Sequence, residues 1–392
     1  MSRLLVLTPG ELTRDPRARR AALAGKAHGL DVIGVSVGLD GGAPVPLDGV
    51  QIVRLAPPRV TTALRGAGVG GMQASRPLVR ELRGLFRLAR LATTTARLAR
   101  AARRLAPVEV VHANDLDTLP AGFLVARRLG ARLVYDAHEL YSDQEPDPPR
   151  LHRFVAERLE GALARRAGAV VTVSEPIAAE LTRRLRLKRE PFVVMNCPER
   201  TDTAPEPAPK DGPLRAIYQG AMGPGRPLDD LLRAAEAAVG THMTLRIAGA
   251  DAAALRAAVR GRGLDDRVEI VPPVAPNRLL EGLRGFHVGL IINRPVTRND
   301  ELVFPNKLFE YMMAGLAVAV PRLPGMAPLV DGKGIGVTFE PGSPESLGAA
   351  LSALAADRDG VARMAAGARR LAVEQYNAEA QSAVLVRAWG VI

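Results

Sequence analysis

The chain has 392 residues, 47% of them hydrophobic, which is enough for two domains of about 150–200 residues, each with its own core. Its one cysteine, Cys197, excludes an intrachain disulfide and a cysteine metal cluster, and no apolar run approaches the roughly 18 residues of a membrane span. The net charge of +12 fits nucleic acid, an anionic membrane surface or anionic small molecules. Much of it is arginine in an Ala/Arg/Gly/Pro-rich background, however, and aromatics at 4% argue against the stacked basic surface of a nucleic-acid binder. The start, Met1–Gly10, is too short for a signal peptide and runs straight into a strand pattern, so a cytoplasmic location is expected.

Arg3–Thr8 reads as a buried strand that breaks at Pro9-Gly10. Asp15–His28 has helical spacing, and Asp31–Val37 is the next strand, giving a βαβ opening. Gly10 is a lone glycine without a Gly-x-Gly-x-x-Gly fingerprint, so a simple turn and the floor of a ligand site are both open. Val50–Leu55 is a further strand. Residues 57–75 are rich in Gly, Pro and Thr and are expected to be mobile. Arg76–Ala106 is a long helical stretch with Leu78, Leu82, Leu85, Phe86, Ala89 and Leu98 at helical intervals. From Arg59 to Pro107 there are eleven arginines and one acid, Glu81. That pattern is either a solvated cationic face or a surface for lipid or an anionic substrate.

Glu109–Ala113 is a strand, and Asn114-Asp115-Leu116-Asp117-Thr118-Leu119-Pro120 follows its carboxyl end, where doubly wound sheets bind ligands. Asp115-x-Asp117 superficially matches a metal-binding pair. Asp117 with Thr118 better fits the entry to the helix Leu119–Arg128, so no metal is expected there. Leu133–Asp136 delivers Ala137-His138-Glu139-Leu140-Tyr141, in which His138 is a candidate acid/base or phosphate ligand, with a structural histidine as the alternative. Leu151–Ala167 is helical, Ala169–Val173 is a strand, Ser174 caps the helix Glu175–Leu185, and Phe192–Met195 ends the first half. Residues 201–212 lack periodicity and form a linker.

The second half restarts with the strand Leu214–Tyr218. The glycine-rich loop Gln219–Pro227 then runs into the helix Leu228–Val239, a plausible anion cradle that includes Gly220 and Arg226. Strands Met243–Ala248 and Arg267–Val271 follow, the latter ending at Pro272-Pro273-Val274. Phe286–Ile292 is a strand, and Asn293–Phe304 a polar loop with Asn293, Arg294, Asn299 and Glu301 within reach of a ligand. In Val303–Gly315, Pro305 sets the dihedral of a first helical turn, Leu308, Phe309, Tyr311, Met312 and Met313 form a helix made for burial, and Gly315 stops it before the strand Leu316–Val320. Glu310 is the one carboxylate in that helix. It is either half of a structural ion pair or an acceptor for two ribose hydroxyls, with the N–H groups of Asn306 and Lys307 facing a phosphate. From Ser343 onward the pattern is helical.

Pro305-Asn306-Lys307-Leu308-Phe309-Glu310-Tyr311-Met312 resembles the donor-binding helix of the retaining glycosyltransferases of family 4. Residues 112–119 and 135–141 resemble loops of the same family, in which the position of Asn114 is often histidine. The resemblance implies an α/β chain of GT-B architecture, with two Rossmann-like doubly wound domains facing a cleft. Residues 1–198 would bind the acceptor and residues 199–375 the nucleotide sugar, with the C-terminal helix, residues 376–392, crossing back to the first domain. It also implies donor contacts at Gly10, Gly220, Arg226, Val274, Asn306, Lys307, Leu308 and Glu310, and acceptor contacts at Asn114, Asp115, His138, Glu139 and Tyr141. His138, Arg226 and Lys307 would be catalytic. The family usually carries a second glutamate eight positions before the ribose-binding one, where this chain has Leu302. It usually has an arginine where Ala221 stands, and a lysine where Arg226 stands.

The expected function is a retaining, metal-independent glycosyltransferase. It would move a sugar from a nucleotide diphosphate donor to a soluble small molecule, glycan or natural-product intermediate, with no cofactor and no nucleic-acid partner. A nucleotide-sugar 2-epimerase, and an enzyme acting at an anionic membrane surface on a lipid-linked acceptor, are the alternatives.

Overall fold

A computed structural model describes residues 2–38, 46–56, 77–105, 107–202, 209, 211–223, 225–275 and 278–391. The expectations for residues 57–75, and for most of the linker, lie outside these. The chain divides into unit 1, Met1–Met195 with Ser382–Ile392, and unit 2, Asn196–Gln381.

Unit 1 is a parallel sheet of β1 (Arg3–Thr8), β2 (Asp31–Val37), β3 (Val50–Leu55), β4 (Val110–Asn114), β5 (Arg132–Asp136), β6 (Ala169–Thr172) and β7 (Phe192–Val193), in the order β3-β2-β1-β4-β5-β6-β7. Its crossovers are α1 (Pro16–Ala27), α2 (Pro77–Ala102), α3 (Leu119–Leu129), α4 (Arg150–Ala164) and α5 (Glu175–Leu185). The caps follow from side-chain chemistry: Asp15 accepts from the N–H groups of Arg17 and Ala18, and Ser174 from that of Ile177. Strands covered on both faces are buried along their length, as β1 is from Leu4 onward and β4 throughout, with polar residues confined to their ends and to His112. Strand order reverses between β1 and β4, so a ligand site is expected where Thr8 and Asn114 end.

Unit 2 repeats the plan with β8 (Leu214–Ala221), β9 (Thr241–Ala248), β10 (Val268–Val271), β11 (Val288–Leu290), β12 (Ala317–Pro321) and β13 (Gly336–Phe339), ordered β10-β9-β8-β11-β12-β13. Its helices are α6 (Leu228–Ala237), α7 (Ala252–Arg260), α8 (Arg298–Leu302), α9 (Asn306–Met313), α10 (Ala327–Lys333), α11 (Pro344–Ala356) and α12 (Arg358–Glu374). Here the reversal lies between β8 and β11. The last helix, α13 (Ala378–Trp389), carries the chain into unit 1. There Leu385, Val386, Ala388 and Trp389 join Leu4, Val6, Val32 and Val134 in one core.

The long helical stretch is borne out as one helix over residues 77–102. Two other local expectations are corrected. The polar loop 293–304 contains α8, started by a capping box in which Thr297 and Asp300 bond each other's backbone N–H. Pro305 is the N-cap of α9 and not its first helical residue. Gly315 does stop that helix, at φ 73, a conformation that favours glycine.

Candidate active site

In unit 1 several polar residues at the strand ends form a connected network. Asp136, fully buried at the end of β5, accepts from Arg17 Nε and Nη2, each at 2.9 Å. Arg17 also donates to the Val194 carbonyl. Trp389, the only tryptophan, donates from Nε1 to His112 Nδ1 at 3.2 Å. That fixes the His112 proton on Nε2, 3.3 Å from Asp136 Oδ2. Burial raises the Asp136 pKa, but the Arg17 guanidinium and the two histidines outweigh it and hold the carboxyl far below its usual range.

His138 projects from the loop after β5 into the same network. Its Nδ1 is 3.1 Å from Asp115 Oδ2, and its Nε2 is 3.2 Å from Asn114 Oδ1 and 3.8 Å from Asp136 Oδ2. Asn114 donates its amide N–H to the Leu7 carbonyl at 2.8 Å, so its Oδ1 faces the ring. Both ring nitrogens therefore face acceptors, which suits an imidazolium. Burial opposes that charge. Asp115 and Asp136 overcome it and raise the pKa to about 9. A raised pKa beside two carboxylates favours the charged imidazolium at neutral pH, a form that donates protons and hydrogen bonds. Asp115 reaches it from a left-handed backbone, φ 60, rare for a residue with a side chain.

The Asp115/Asp117 pair diverges. Asp115 holds His138, while Asp117 lies 3.5 Å from Arg90. Thr118 is the N-cap of α3 but makes no side-chain cap bond, contrary to the sequence reading; its hydroxyl donates back to the Asn114 carbonyl at 2.6 Å. Glu139 is half-buried beside His138. Tyr141 lines a cavity of about 430 Å³ with Leu140, Glu160, Leu181 and Arg184. Gly10 has φ outside the glycine-only region, and a Cβ there would meet nothing within 4 Å, so the position is open space.

In unit 2 the arrangement is cationic. Lys307, the second residue of α9, places Nζ 4.6 Å from the Tyr218 ring centroid. Among the described residues this buried nitrogen has no hydrogen-bond partner. Burial first, and then the charge of Arg226, lower its pKa to about 8, against an opposing pull from Glu310. Gly220, at φ 143, is needed here: a Cβ would lie 2.9 Å from Lys307 Nζ. Arg226 closes the turn after β8, exchanging backbone hydrogen bonds with Gly223. The N–H groups of Asn306 and Lys307 open α9 and have no intrahelical acceptor. Leu308 differs from its sequence assignment: its side chain is fully buried and its N–H bonds the Pro305 carbonyl, so it supplies packing.

Glu310 stands one turn along the helix from Lys307, and its Oε2 accepts from Gln219 Nε2 at 3.0 Å. Val274 is half-buried beside Gly282. The residues considered as loop candidates have other duties. Arg294 pairs with Asp230, Glu301 with Arg298, and Asn299 is buried, while Asn293 Oδ1 is buried with no partner among the described residues. Sequence reading missed Arg17, Trp389, Gln219 and Arg246. An arginine in an arginine-rich helix carries no signal of burial, and a single tryptophan near a terminus reads only as core.

Residues 22–201 match the family model described as Glycosyltransferase Family 4, and residues 214–357 the one described as Glycosyl transferases group 1. No curated protein sequence matches the chain significantly. Among solved structures, sucrose-phosphate synthase (tll1590) from Thermosynechococcus elongatus is similar at a TM-score of 0.76 and 16% identity, over 100% of this chain and 98% of that one. Anabaena Alr3699/HepE in complex with UDP reaches 0.70 at 14% identity over both whole chains. A glycosyltransferase from Rickettsia africae ESF-5 reaches 0.71 at 11% identity, over 99% and 97%. With both of its halves matched by glycosyltransferase family models and two doubly wound units on the page, the chain is a glycosyltransferase of GT-B fold.

Proposed function

We propose that this glycosyltransferase is retaining and metal-independent, binds a nucleotide diphosphate sugar in unit 2, and transfers the sugar to a soluble small molecule or glycan bound by unit 1. The observation that carries the donor assignment is the buried Nζ of Lys307, which has no hydrogen-bond partner among the described residues, beside Arg226 and the open amides of α9. Charges buried without a partner are costly, and a diphosphate supplies the missing counter-charge. The HepE structures hold UDP and UDP-glucose, which makes uridine-linked sugars the first donors to test.

In this reading Glu310 accepts the ribose hydroxyls. Lys307, Arg226 and the α9 amides stabilise the charge that develops on the leaving diphosphate as the anomeric C–O bond breaks. The acceptor oxygen bonds the same face of the sugar, and its proton passes to an oxygen of the leaving phosphate. His138 supports that route by being protonated already below pH about 9, where it serves as a positive charge and hydrogen-bond donor. The diphosphate is met by protein cations, and Asp115 and Asp117 are engaged with His138 and Arg90.

A panel of nucleotide sugars, followed by thermal shift and by product analysis with and without EDTA, tests the proposal. Stabilisation by one donor, EDTA-resistant turnover and a product that keeps the anomeric configuration are expected. Turnover lost to chelator and restored by Mg²⁺ or Mn²⁺, or epimerisation of the donor without an acceptor, would overturn it.

A further inference from the structure

Glu310 does not set its own position. Its Oε2 is held by Gln219 Nε2 at 3.0 Å, and Gln219 Oε1 in turn accepts from Arg246 Nη1 at 3.3 Å. An arginine has only donors, so the amide atom that faces it must be the oxygen, and the NH₂ is thereby aimed at the carboxylate. Gln219 and Arg246 are direct neighbours in register on β8 and β9. Gln219 is only 5% exposed, and its backbone N–H donates to Tyr311 Oη at 3.1 Å. That hydroxyl donates on to the Leu290 carbonyl at 3.3 Å. The far end is anchored as well: Arg246 Nη2 donates to the Gly282 carbonyl at 2.9 Å. A Cβ on Gly282 would lie 3.0 Å from Arg246 Nη1 and 3.3 Å from Val274 Cγ1.

We propose that Arg246 and Gln219 are positioning residues: an ion pair with an amide spacer that fixes the Glu310 carboxylate for the ribose hydroxyls and ties it to the strand-end segment at Val274. Among the described residues no carboxylate pairs directly with Arg246, so its charge is answered through the amide. The geometry depends on the amide: a glutamate at 219 would face Glu310 with like charge, and a leucine would remove the hydrogen bond that Gln219 gives the carboxylate. The inference rests on the donor reading of unit 2 and adds to it the means by which ribose is told from deoxyribose.

The experiment is calorimetric binding of UDP and of 2′-deoxy-UDP to the wild-type chain and to the Gln219→Leu, Arg246→Leu and Glu310→Ala variants, with inorganic pyrophosphate as the probe of the phosphate site. The wild type is expected to prefer UDP by about tenfold, one charge-assisted hydrogen bond's worth. Glu310→Ala and Gln219→Leu should reduce that preference to about twofold, with pyrophosphate affinity unchanged, and Arg246→Leu should fall between. A purely structural role would lower the melting temperature and leave the ratio intact. If Gln219→Leu and Arg246→Leu keep the full preference while Glu310→Ala loses it, the relay is wrong and the ribose assignment stands. If Glu310→Ala keeps it too, the ribose assignment itself is overturned and the relay with it. Should Gln219→Leu fail to fold, Arg246→Leu reads the same ratio with the β8 residue in place.

Discussion

The polar clusters of the two units stand on the same frame, the carboxyl ends of parallel strands where strand order reverses, yet their charges are arranged in opposite ways. In unit 1 every strong charge has a protein partner: Arg17 with Asp136, and His138 with Asp115 and Asn114. In unit 2 Lys307 and Arg226 repel one another, and the nearest acid, Glu310, is turned to Gln219. A satisfied network is rigid and keeps its shape whether or not a ligand is there; an unbalanced one is held at a cost that an anion relieves. Under the proposed function, the difference would let unit 2 stabilise developing negative charge and unit 1 present a fixed surface to the second substrate.

The comparison breaks first at Asp136. Asp136→Asn removes the counter-charge of a buried guanidinium and is expected to cost about 3–5 kcal/mol, while replacing both ends, Arg17→Met with Asp136→Leu, costs less. Urea unfolding followed by Trp389 fluorescence reads unit 1 directly, because that ring packs in its core. A single variant no less stable than the double would show that Asp136 is not the counter-charge on which Arg17 depends.

Lys307→Met should do the reverse. Removing a buried cation that has no hydrogen-bond partner among the described residues, only the Tyr218 ring, is expected to leave stability equal or higher, while the loss of one preorganised phosphate donor lowers turnover by about 10²–10³-fold. Steady-state kinetics and melting temperature on one preparation suffice. A variant that is less stable and still active would mean that the lysine is structural. Glu310→Ala comes next, with donor affinity down at least about tenfold. Glu301→Ala should do less, since that carboxylate already pairs with Arg298 on the short helix α8. Equal losses measured by calorimetry would return Glu301 to the sugar site.

How far these clusters were readable follows from what each residue type discloses. Short strands with continuous apolar runs, such as Arg3–Thr8 and Asp31–Val37, were legible because burial on both faces leaves no alternation to misread. His138 and Glu310 stood out because a polar residue in an apolar or strand-end setting needs a reason. Their protonation and partners did not, because those depend on residues far away in sequence: Arg17 is 119 positions from Asp136, and Gln219 is 91 from Glu310. The polar stretch 293–304 misled because Thr297 and Asp300 are turn formers that here cap a helix.

The two units should also answer pH oppositely. His138 is raised from an ordinary 6.5 to about 9, so folded unit 1 holds its proton more tightly than the unfolded chain does. That contribution is complete below pH about 6.5 and is lost as pH rises through 9. Lys307 is lowered from 10.5 to about 8, so its burial costs stability below pH 8, and the cost fades as pH rises toward 10.5. Each swing is on the order of 1–2 kcal/mol after solvent screening. Urea midpoints against pH for wild type, His138→Asn and Lys307→Met separate the slopes. A Lys307→Met profile parallel to that of the wild type would show that the lysine is not depressed.

The smallest effect is expected at the arginine-rich helix. Leu78 (73% exposed), Leu82, Leu85 and Phe86 share an outer face of α2, which favours a lipid-linked acceptor. Basic residues beside an anionic bilayer contribute about 1 kcal/mol each, but only while their charge is free to reach it. On α2, Arg80 pairs with Asp147, Arg87 with Glu145, and Arg90 with Asp117, so acids from outside the helix answer three of the eleven arginines counted in the sequence. Under the proposed soluble acceptor, binding to anionic vesicles at physiological salt should be weak, on the order of 1 kcal/mol above that to neutral ones. Co-sedimentation with both vesicle types checks this. Strong binding to anionic vesicles that vanishes when Arg80, Arg83, Arg87 and Arg90 are changed to glutamine would show that the pairs open at a bilayer. It would also give unit 1 the unbalanced charge now found only in unit 2, and make the acceptor a lipid.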